Sequence, residues 1–384
     1  MIRVFALSGL VSLALLLGSC GNKQGSQQSA GNGEDSSYFS TKISLKYLRG
    51  FKVTYHGSYA KVDVRDPFDT TKTLKTYILI DRKAEKPANL PSGTIIKVPV
   101  ERSACFYGLT VHELAKLGEN QTVTGVAEIQ YVKDSLVLAK YKRGQMVDLG
   151  EVAQANVERV IEANPQVLIV SPVSGGSLRK IEETGVPLVY DCSYLENTPL
   201  ARTEWIKFLS LFYRKEALAN QLFDSVEARY NRVSKIAKAV KTRPTVFSEK
   251  KFGQVWYMPG GASYMARFFE DAGSNFMWKD DKSTGALSLG FEAVLAKASD
   301  ADFWVIKTNT PFVYTYSRLE QEFGLYKSFK AFKKGNVINC DTGRSPYYED
   351  GFLEPDVILS DLVSHFHPEL MKGYQPKYFK KLDR

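Results

Sequence analysis

Cys20 is the residue whose surroundings most clearly indicate its chemistry. It ends the apolar run Leu13-Ala-Leu-Leu-Leu-Gly-Ser-Cys20, and Arg3 stands near the start of the chain. Small residues directly before the cysteine let a signal peptidase reach the backbone, and the run is too short to remain in a bilayer as a spanning helix. The pattern predicts a signal peptide over residues 1–19 and lipid attachment at Cys20. An ordinary signal peptide with an incidental cysteine is the alternative.

Residues 20–37 are predicted to be a lipidated, flexible tether. After Cys20 they are mostly Gly, Asn, Gln and Ser, with two acidic residues and no apolar side chain larger than Ala30. Such a segment buries too little apolar surface to fold. The whole chain carries a formal net charge of +9, which is compatible with anionic ligands or a negative membrane surface. The basic residues are not run together, so we expect a solvated basic face and no nucleic-acid partner.

Metal and nucleophile chemistry have little support in the sequence. Beyond Cys20 there are three cysteines, Cys105, Cys192 and Cys340, without C-x-x-C spacing, and they are predicted to be buried small hydrophobes. His112 could ligate iron in a cleft or serve only the structure. A P-loop, a nucleophile elbow and the dinucleotide fingerprint are absent from the sequence. We therefore expect a non-enzyme without a bound metal or cofactor.

Aromatic side chains are the better candidates for ligand binding. The chain has 21 Tyr and 22 Phe, several of them at predicted strand ends and turns. Flat macrocycles and catecholates stack on aromatic rings, and Arg or Lys can hold anionic groups. Each ring alone fits a hydrophobic core, whereas the group near loops indicates an aromatic-lined cleft. The candidate ligand-binding residues are Arg102, Tyr107, His112, Tyr131, Trp256, Tyr257, Trp278, Arg344 and Tyr347.

The elements that would position these residues alternate between strands and helices. Alternating apolar runs with turn residues predict a small β meander over residues 38–93. From Thr94 short buried strands alternate with helices, which implies parallel sheets. A segment without Gly or Pro predicts a long helix at 215–243, after a break near Arg214. The sequence therefore predicts an α/β fold with two Rossmann-like lobes, 94–214 and 244–384, joined by this helix.

The two predicted lobes repeat one unit. Residues 157–170 and 291–306 each contain a helix, a short polar break and a buried strand. Glu158 and Glu292 occupy equivalent positions in the first turns of these helices, where an acidic side chain also favours the helix dipole. Ligands of open α/β sheets bind beyond the carboxyl ends of the strands, so the predicted site is the cleft between the lobes.

This organisation resembles the class III substrate-binding proteins of ABC importers, which serve vitamin B12, ferric siderophores, haem and some metals. The resemblance covers about residues 95–370. The segments that carry it are Leu114-Ala-Lys-Leu-Gly118, Val123-Thr-Gly-Val126, Asn156–Pro165, Gly185-Val-Pro-Leu-Val189, Trp256–Ser263 and Phe269–Asn275. The meander lies outside the family's usual core, and the sequence assigns it no role.

The resemblance implies capture of an iron compound, a ferric siderophore or haem, and its delivery to an ABC permease with its ATPase. It also implies that Glu158 and Glu292 dock the two lobes into basic pockets of the permease. The protein would be exported and held by its N-terminal lipid, at the periplasmic face of the inner membrane in a cell with two membranes, and otherwise at the outer face of the cell membrane.

Three alternatives remain open at this point. The ligand could be a corrinoid such as vitamin B12. The protein could be a surface capture lipoprotein that serves an outer-membrane receptor and never meets a permease. It could also be a tetrapyrrole chelatase, since such enzymes use two α/β lobes, but a chelatase would need a histidine and a carboxylate that face the cleft.

Overall fold

The computed structural model describes residues 38–154, 156–172 and 177–384. The predicted signal peptide, the lipid site at Cys20 and the tether lie outside these residues. Residues 37–384 form one compact unit, and every residue of its hydrophobic core lies at or after Phe39. In the described part of the chain, no helix is both long enough and apolar enough to cross a membrane.

The N-terminal region forms a four-stranded sheet. Its strands are β1 (Phe51–Tyr55), β2 (Tyr59–Arg65), β3 (Thr73–Asp81) and β4 (Thr94–Val98). β1, β2 and β3 form the predicted antiparallel meander, and β4 pairs parallel to β3. The sequence placed this last strand in the first lobe. In the structure it belongs to the N-terminal sheet, because Ile96 and Val98 continue the buried face that Tyr77 and Leu79 begin.

The first lobe has a five-stranded parallel sheet in the order β7-β6-β5-β8-β9. Helices between the strands cover it, as expected for parallel connections. The bounds of these elements are β5 (Ser103–Cys105), α1 (Gly108–Lys116), β6 (Val123–Val126), α2 (Ser135–Lys142), β7 (Val147–Asp148), α3 (Val157–Ala163), β8 (Val167–Val170), α4 (Ser177–Glu182) and β9 (Leu188–Tyr190).

Three helices connect the lobes: α5 (Pro199–Glu204), α6 (Ile206–Tyr213) and α7 (Glu216–Lys238). The predicted long helix and the break before it are confirmed. Arg214 adopts a left-handed conformation with φ 57° and ends α6. α7 is amphipathic, with Ala219, Phe223 and Tyr230 among its buried side chains, so its burial follows from its sequence periodicity.

The second lobe contains a five-stranded sheet in the order β13-β10-β15-β16-β17, parallel except for β17. A small antiparallel sheet, β11-β12-β14, flanks it. The bounds are β10 (Thr245–Ser248), β11 (Lys251–Phe252), β12 (Val255–Pro259), α8 (Tyr264–Asp271), β13 (Asn275–Phe276), β14 (Ala286–Leu289), α9 (Phe291–Ala298), β15 (Phe303–Thr308), α10 (Tyr316–Glu322), α11 (Lys330–Lys334), β16 (Val337–Asp341), α12 (Tyr347–Asp350), α13 (Pro355–Phe366) and β17 (Phe379–Lys381). The predicted α/β class with two lobes is confirmed.

The segment before β1 is fastened to the connecting helices. The buried carboxylate of Glu204 accepts the backbone N–H groups of residues 46–48 and pairs with Lys207 at 3.0 Å. Lys207 also donates to the carbonyl of Ser44, and Asn220 on α7 donates to the carbonyl of Lys42. These hydrogen bonds hold the segment before β1 against the helices that connect the lobes.

The three cysteines of the described residues are buried and unpaired. Cys105, Cys192 and Cys340 form no disulfide, and burial raises the pKa of each thiol. A buried neutral thiol packs like a small apolar side chain. The prediction of buried small hydrophobes is confirmed.

Candidate functional site

The carboxyl ends of the parallel strands of both lobes border two cavities. One, of about 480 Å³, lies at the first lobe, and the other, of about 660 Å³, lies at the second. Arg202 lines both. Since the carboxyl ends of parallel strands meet at one edge, loops that are distant in sequence converge there. We call the two cavities together the cleft.

The first-lobe half of the cleft has aromatic walls. Tyr107 follows β5, Tyr131 follows β6 and Tyr194 follows β9. Tyr348 and Phe352, from the segment after β16, line the same cavity. Tyr131 and Tyr348 are 64% and 60% exposed, so their rings are available to a ligand. Aromatic faces of this kind stack on flat or conjugated molecules.

The second-lobe half of the cleft is basic. Lys250 follows β10 and Lys307 lies near the end of β15, and Lys251 joins them in the lining. Glu249 is the acidic residue of this lining, and it forms an ion pair with Lys307. Lys250 also pairs with Glu322 at 2.7 Å, whereas Arg202 and Lys251 form no ion pair within the described residues. Four cations near two carboxylates leave a positive potential that favours anionic groups.

Glu249 is held in a strained conformation. Its φ is 64°, in the left-handed region that non-glycine residues seldom adopt. Its backbone N–H donates to the carbonyl of Val305, and its own carbonyl accepts the indole N–H of Trp304 at 2.6 Å. Strain of this type persists only where the surroundings enforce it, often at binding sites. Here it directs the Glu249 carboxylate towards Lys307.

Arg202 connects the two halves of the cleft. Its Nε and Nη2 donate to the carbonyls of Glu196 and Tyr194 at 2.7 and 2.6 Å, and its guanidinium lies 3.9 Å from the centre of the Tyr264 ring. Within the described part of the chain, Nη1 makes no hydrogen bond. Burial lowers the pKa of Arg202, but a guanidinium remains charged in proteins. Arg202 is therefore a fixed cation with a donor left for a ligand.

Two buried acids lie near the first-lobe half. Asp191 lines the cavity and accepts the backbone N–H of Ser193 at 2.8 Å. Glu113 on α1 is fully buried, and neither of its carboxylate oxygens has a hydrogen-bond partner among the described residues. Burial raises the pKa of Asp191; burial, and then the nearby charge of Asp191, raises the pKa of Glu113 well above its usual range. Glu113 is therefore held in its neutral form.

The structure brings three of the nine candidate ligand-binding residues to the cleft. Tyr107 and Tyr131 line the first-lobe half, and Tyr257 lines the second-lobe half. Trp256, Trp278 and Tyr347 lie in the core of the second lobe instead. Trp256 shows the reason. It alternates with Tyr257 along β12, so one ring points inward, where its N–H donates to the carbonyl of Ser248, and the next points outward.

The remaining three candidates lie elsewhere. Arg102 precedes β5, at the opposite end of the strand from Tyr107, and its Nε donates to the carbonyl of Asn164. Arg344 borders a separate cavity of about 230 Å³. His112 lies 3.0 Å from the carboxylate of Asp350, and burial lowers its pKa. None of these three lines the cleft.

Several cleft residues were not found from the sequence. They are Arg202, Lys250, Lys251, Lys307 and Tyr264. Lys307 left a signal, since it interrupts the apolar run of β15 near the strand's carboxyl end. Arg202 left none, because it lies on a short helix in a segment whose apolar stripe indicated only packing. Histidine is absent from the described residues that line the cleft, and no group of three His, Cys, Asp or Glu in the described chain is arranged to hold a metal.

Glu158 and Glu292 are exposed in the first turns of α3 and α9. Each helix leads into a parallel strand, β8 or β15, so its first turn lies towards the carboxyl edge of its sheet, the edge that borders the cleft. Neither carboxylate has a hydrogen bond or an ion pair within the described chain. Their docking role stays a prediction.

Comparison with known proteins agrees with this architecture. The model of a family described as "Periplasmic binding protein" matches residues 104–342. An uncharacterized lipoprotein of Methanocaldococcus jannaschii is 31% identical over 371 residues, which cover 89% of this chain and 86% of the relative.

Solved structures share the fold. A periplasmic haem-binding protein from Pseudomonas aeruginosa aligns with a TM-score of 0.56 and 18% identity, over 74% of this chain and 99% of its own. An ABC-type Fe3+-hydroxamate transport protein from Saccharomonospora viridis aligns with a TM-score of 0.53 and 18% identity, over 70% and 94%. The family match spans both lobes and the helices that join them. The chain therefore belongs to the periplasmic binding protein family, whose members bind substrates rather than transform them.

Proposed function

We propose that this protein is the substrate-binding lipoprotein of an ABC importer and that it carries an anionic iron chelate, a ferric siderophore or haem. The observation that carries the proposal is the pairing of aromatic walls with a concentrated positive charge. Tyrosines line the first-lobe half of the cleft, whereas Arg202 and three lysines line the second-lobe half. Of these cations, Arg202 and Lys251 form no ion pair within the described residues, while Lys250 and Lys307 pair with Glu322 and Glu249.

The cleft has the dimensions and the chemistry for such a cargo. Its two halves, about 480 and 660 Å³, fall within the range of small-molecule sites. A ferric catecholate or haem presents conjugated faces to aromatic rings and anionic groups to cations. A neutral corrinoid would make little use of the three lysines. Haem would have tyrosine phenols but no histidine among the described lining residues, and tyrosine is a known haem ligand in proteins.

The relatives support the choice of cargo. One structural relative is named for haem and another for Fe3+-hydroxamate transport. Both names refer to iron compounds, and this chain shares their fold. The lipoprotein name of the archaeal relative supports a lipid anchor at Cys20. Delivery would use Glu158 and Glu292, whose exposed carboxylates form no ion pair within the described residues and could meet basic pockets of a permease.

Optical titrations test the proposal. Residues 38–384, which lie within one compact unit, are titrated with haemin, a ferric tris-catecholate, a ferric tris-hydroxamate and cyanocobalamin. We expect micromolar or tighter binding of at least one iron chelate, seen as a Soret shift or as quenching of intrinsic fluorescence. The metal-free siderophore serves as the control for iron dependence. Binding of cyanocobalamin alone would replace the iron proposal with the corrinoid alternative, and binding of none of the four would refute the cargo class.

A further inference from the structure

The positive charge of the protein is concentrated in its N-terminal sheet region. Residues 38–100 contain 12 basic residues (Lys and Arg) and 5 acidic residues (Asp and Glu), which gives a net charge of +7. Residues 101–384 contain 37 basic and 35 acidic residues, which gives a net charge of +2. The basic residues are not run together, yet their excess over acidic residues is uneven along the chain. One small sheet region holds most of the basic excess.

Strand alternation places much of this charge on one face of the sheet. Val62, Tyr77 and Leu79 point to the core on the inner face. Their neighbours point outward, so Lys61 and Lys97 lie on the outer face of β2 and β4. Lys52 on β1 and Arg65 at the end of β2 share that face by the same alternation, and both are exposed.

The connection between β3 and β4 also lies on the outer face. A parallel pair needs a crossover, and the inner face is already packed against the core. Ile78 points outward yet is fully buried, so other residues cover it. Gly93, at the end of the connection, lies so close to the outward-facing Thr76 that a Cβ on it would be 3.0 Å away. The connection therefore runs across the outer face of the sheet. This crossover adds the exposed Lys83 and Lys86.

We define the basic face by six residues: Lys52, Lys61, Arg65, Lys83, Lys86 and Lys97. Two acidic residues lie among them: Asp63 on the outer face of β2, and Glu85 in the crossover between β3 and β4. Asp63 pairs with Lys61 at 2.8 Å. Within the described chain the other five basic side chains form no ion pair. Their charges therefore remain available to an external partner.

We infer that the basic face docks onto the anionic phospholipid headgroups of the membrane that holds the protein. This inference rests on the proposed lipid anchor at Cys20. The 17 residues 21–37 can span at most about 60 Å even if fully extended, and the described chain begins at Tyr38, shortly before β1. The sheet is therefore confined near the bilayer. Stable membrane attachment commonly combines a lipid with a polybasic surface, and the basic face supplies that second contact.

Vesicle sedimentation tests the inference with the lipid-free chain of residues 38–384. Vesicles of phosphatidylcholine with 30% phosphatidylglycerol are compared with pure phosphatidylcholine at about 0.1 M salt. Each Lys or Arg near an anionic surface contributes about five-fold in partitioning. The triple variant Lys52→Gln, Arg65→Gln, Lys97→Gln should therefore bind the anionic vesicles roughly 100-fold more weakly, and the parent protein should bind pure phosphatidylcholine poorly.

A matched variant separates this face from net charge. Lys235→Gln, Lys282→Gln and Lys333→Gln make the same charge change at exposed positions outside the sheet, and this triple variant should keep most of the vesicle binding. An equal loss in both triples would overturn the inference, as would failure of the parent protein to bind anionic vesicles or equal binding to both vesicle types. Iron-chelate titration of the same samples is a separate readout. Retained chelate binding without vesicle binding would refute the basic face alone, and the reverse would refute the proposed cargo alone.

Discussion

Arg202→Gln should weaken chelate binding strongly, because Arg202 is the cation shared by both halves of the cleft. Its orientation is set by two backbone carbonyls and the Tyr264 ring, and Nη1 donates to no group of the described residues. A hydrogen bond to a charged group contributes about 1.5–3 kcal/mol. Its loss corresponds to a rise in Kd of roughly 10- to 150-fold at 25 °C.

The same substitution also affects folding. Glutamine at position 202 would leave the carbonyls of Tyr194 and Glu196 without their donors, which costs about 1–3 kcal/mol of unfolding free energy. Arg202→Lys keeps the charge but loses the planar guanidinium with its several N–H donors. The Kd of this variant for the chelate should therefore lie between those of the parent and the glutamine variant. Urea unfolding and fluorescence titration with the chelate that binds the parent separate stability from affinity.

Arg102→Gln is the matched control. Arg102 is an exposed arginine that also donates to a backbone carbonyl, that of Asn164, but it lies at the opposite end of β5 from the cleft. Its substitution makes the same charge change and should alter Kd by less than about two-fold, since distant exposed charges are screened by salt. The assignment of the site is refuted if folded Arg202→Gln binds like the parent, or if Arg102→Gln loses as much affinity.

Four further outcomes follow from the structure. Glu158→Ala and Glu292→Ala should each leave the Kd for the chelate unchanged and reduce its uptake by cells. The reason is that each substitution removes about 2–5 kcal/mol from the free energy of docking on the permease if the ion pair there is desolvated. Loss of chelate binding would instead place these residues in the site or the core. Glu113→Met should raise the unfolding free energy by about 1–3 kcal/mol at pH 7. Because burial raises the pKa of Glu113, the parent loses stability as pH rises above the unfolded value of about 4.3. The gain should therefore be smaller at pH 4 than at pH 7 in urea titrations, and an equal gain at both would show that the pKa of Glu113 does not differ between the folded and unfolded states. Glu204→Gln should cost about 3–5 kcal/mol of stability, because Lys207 would remain buried without its counter-charge, and a change below 1 kcal/mol in thermal or urea unfolding would contradict this. Binding of the chelate should change the radius of gyration little in X-ray scattering, because the continuous helix α7 limits closure; a large decrease would show that α7 is not a stiff connection.

The sequence by itself determined the class of fold and its order along the chain. The meander, the alternation of strands and helices, the break at Arg214 and the long helix after it all follow from local features: apolar periodicity, turn residues and the absence of Gly and Pro. The same local patterns carried the resemblance to the family that the comparisons confirm. Buried cysteines were predictable for a similar reason, since their spacing excluded the common metal motifs.

Only the tertiary structure decided which side chains face the cleft. Trp256 and Tyr257 are neighbours of the same chemical type, yet one lies in the core and the other lines the cavity. Arg102 and Tyr107 flank one short strand, and only the residue after its carboxyl end reaches the cleft. Arg202 enters it from a connecting helix. A side chain's direction depends on strand register and on packing between segments more than 100 residues apart, and no local pattern encodes either.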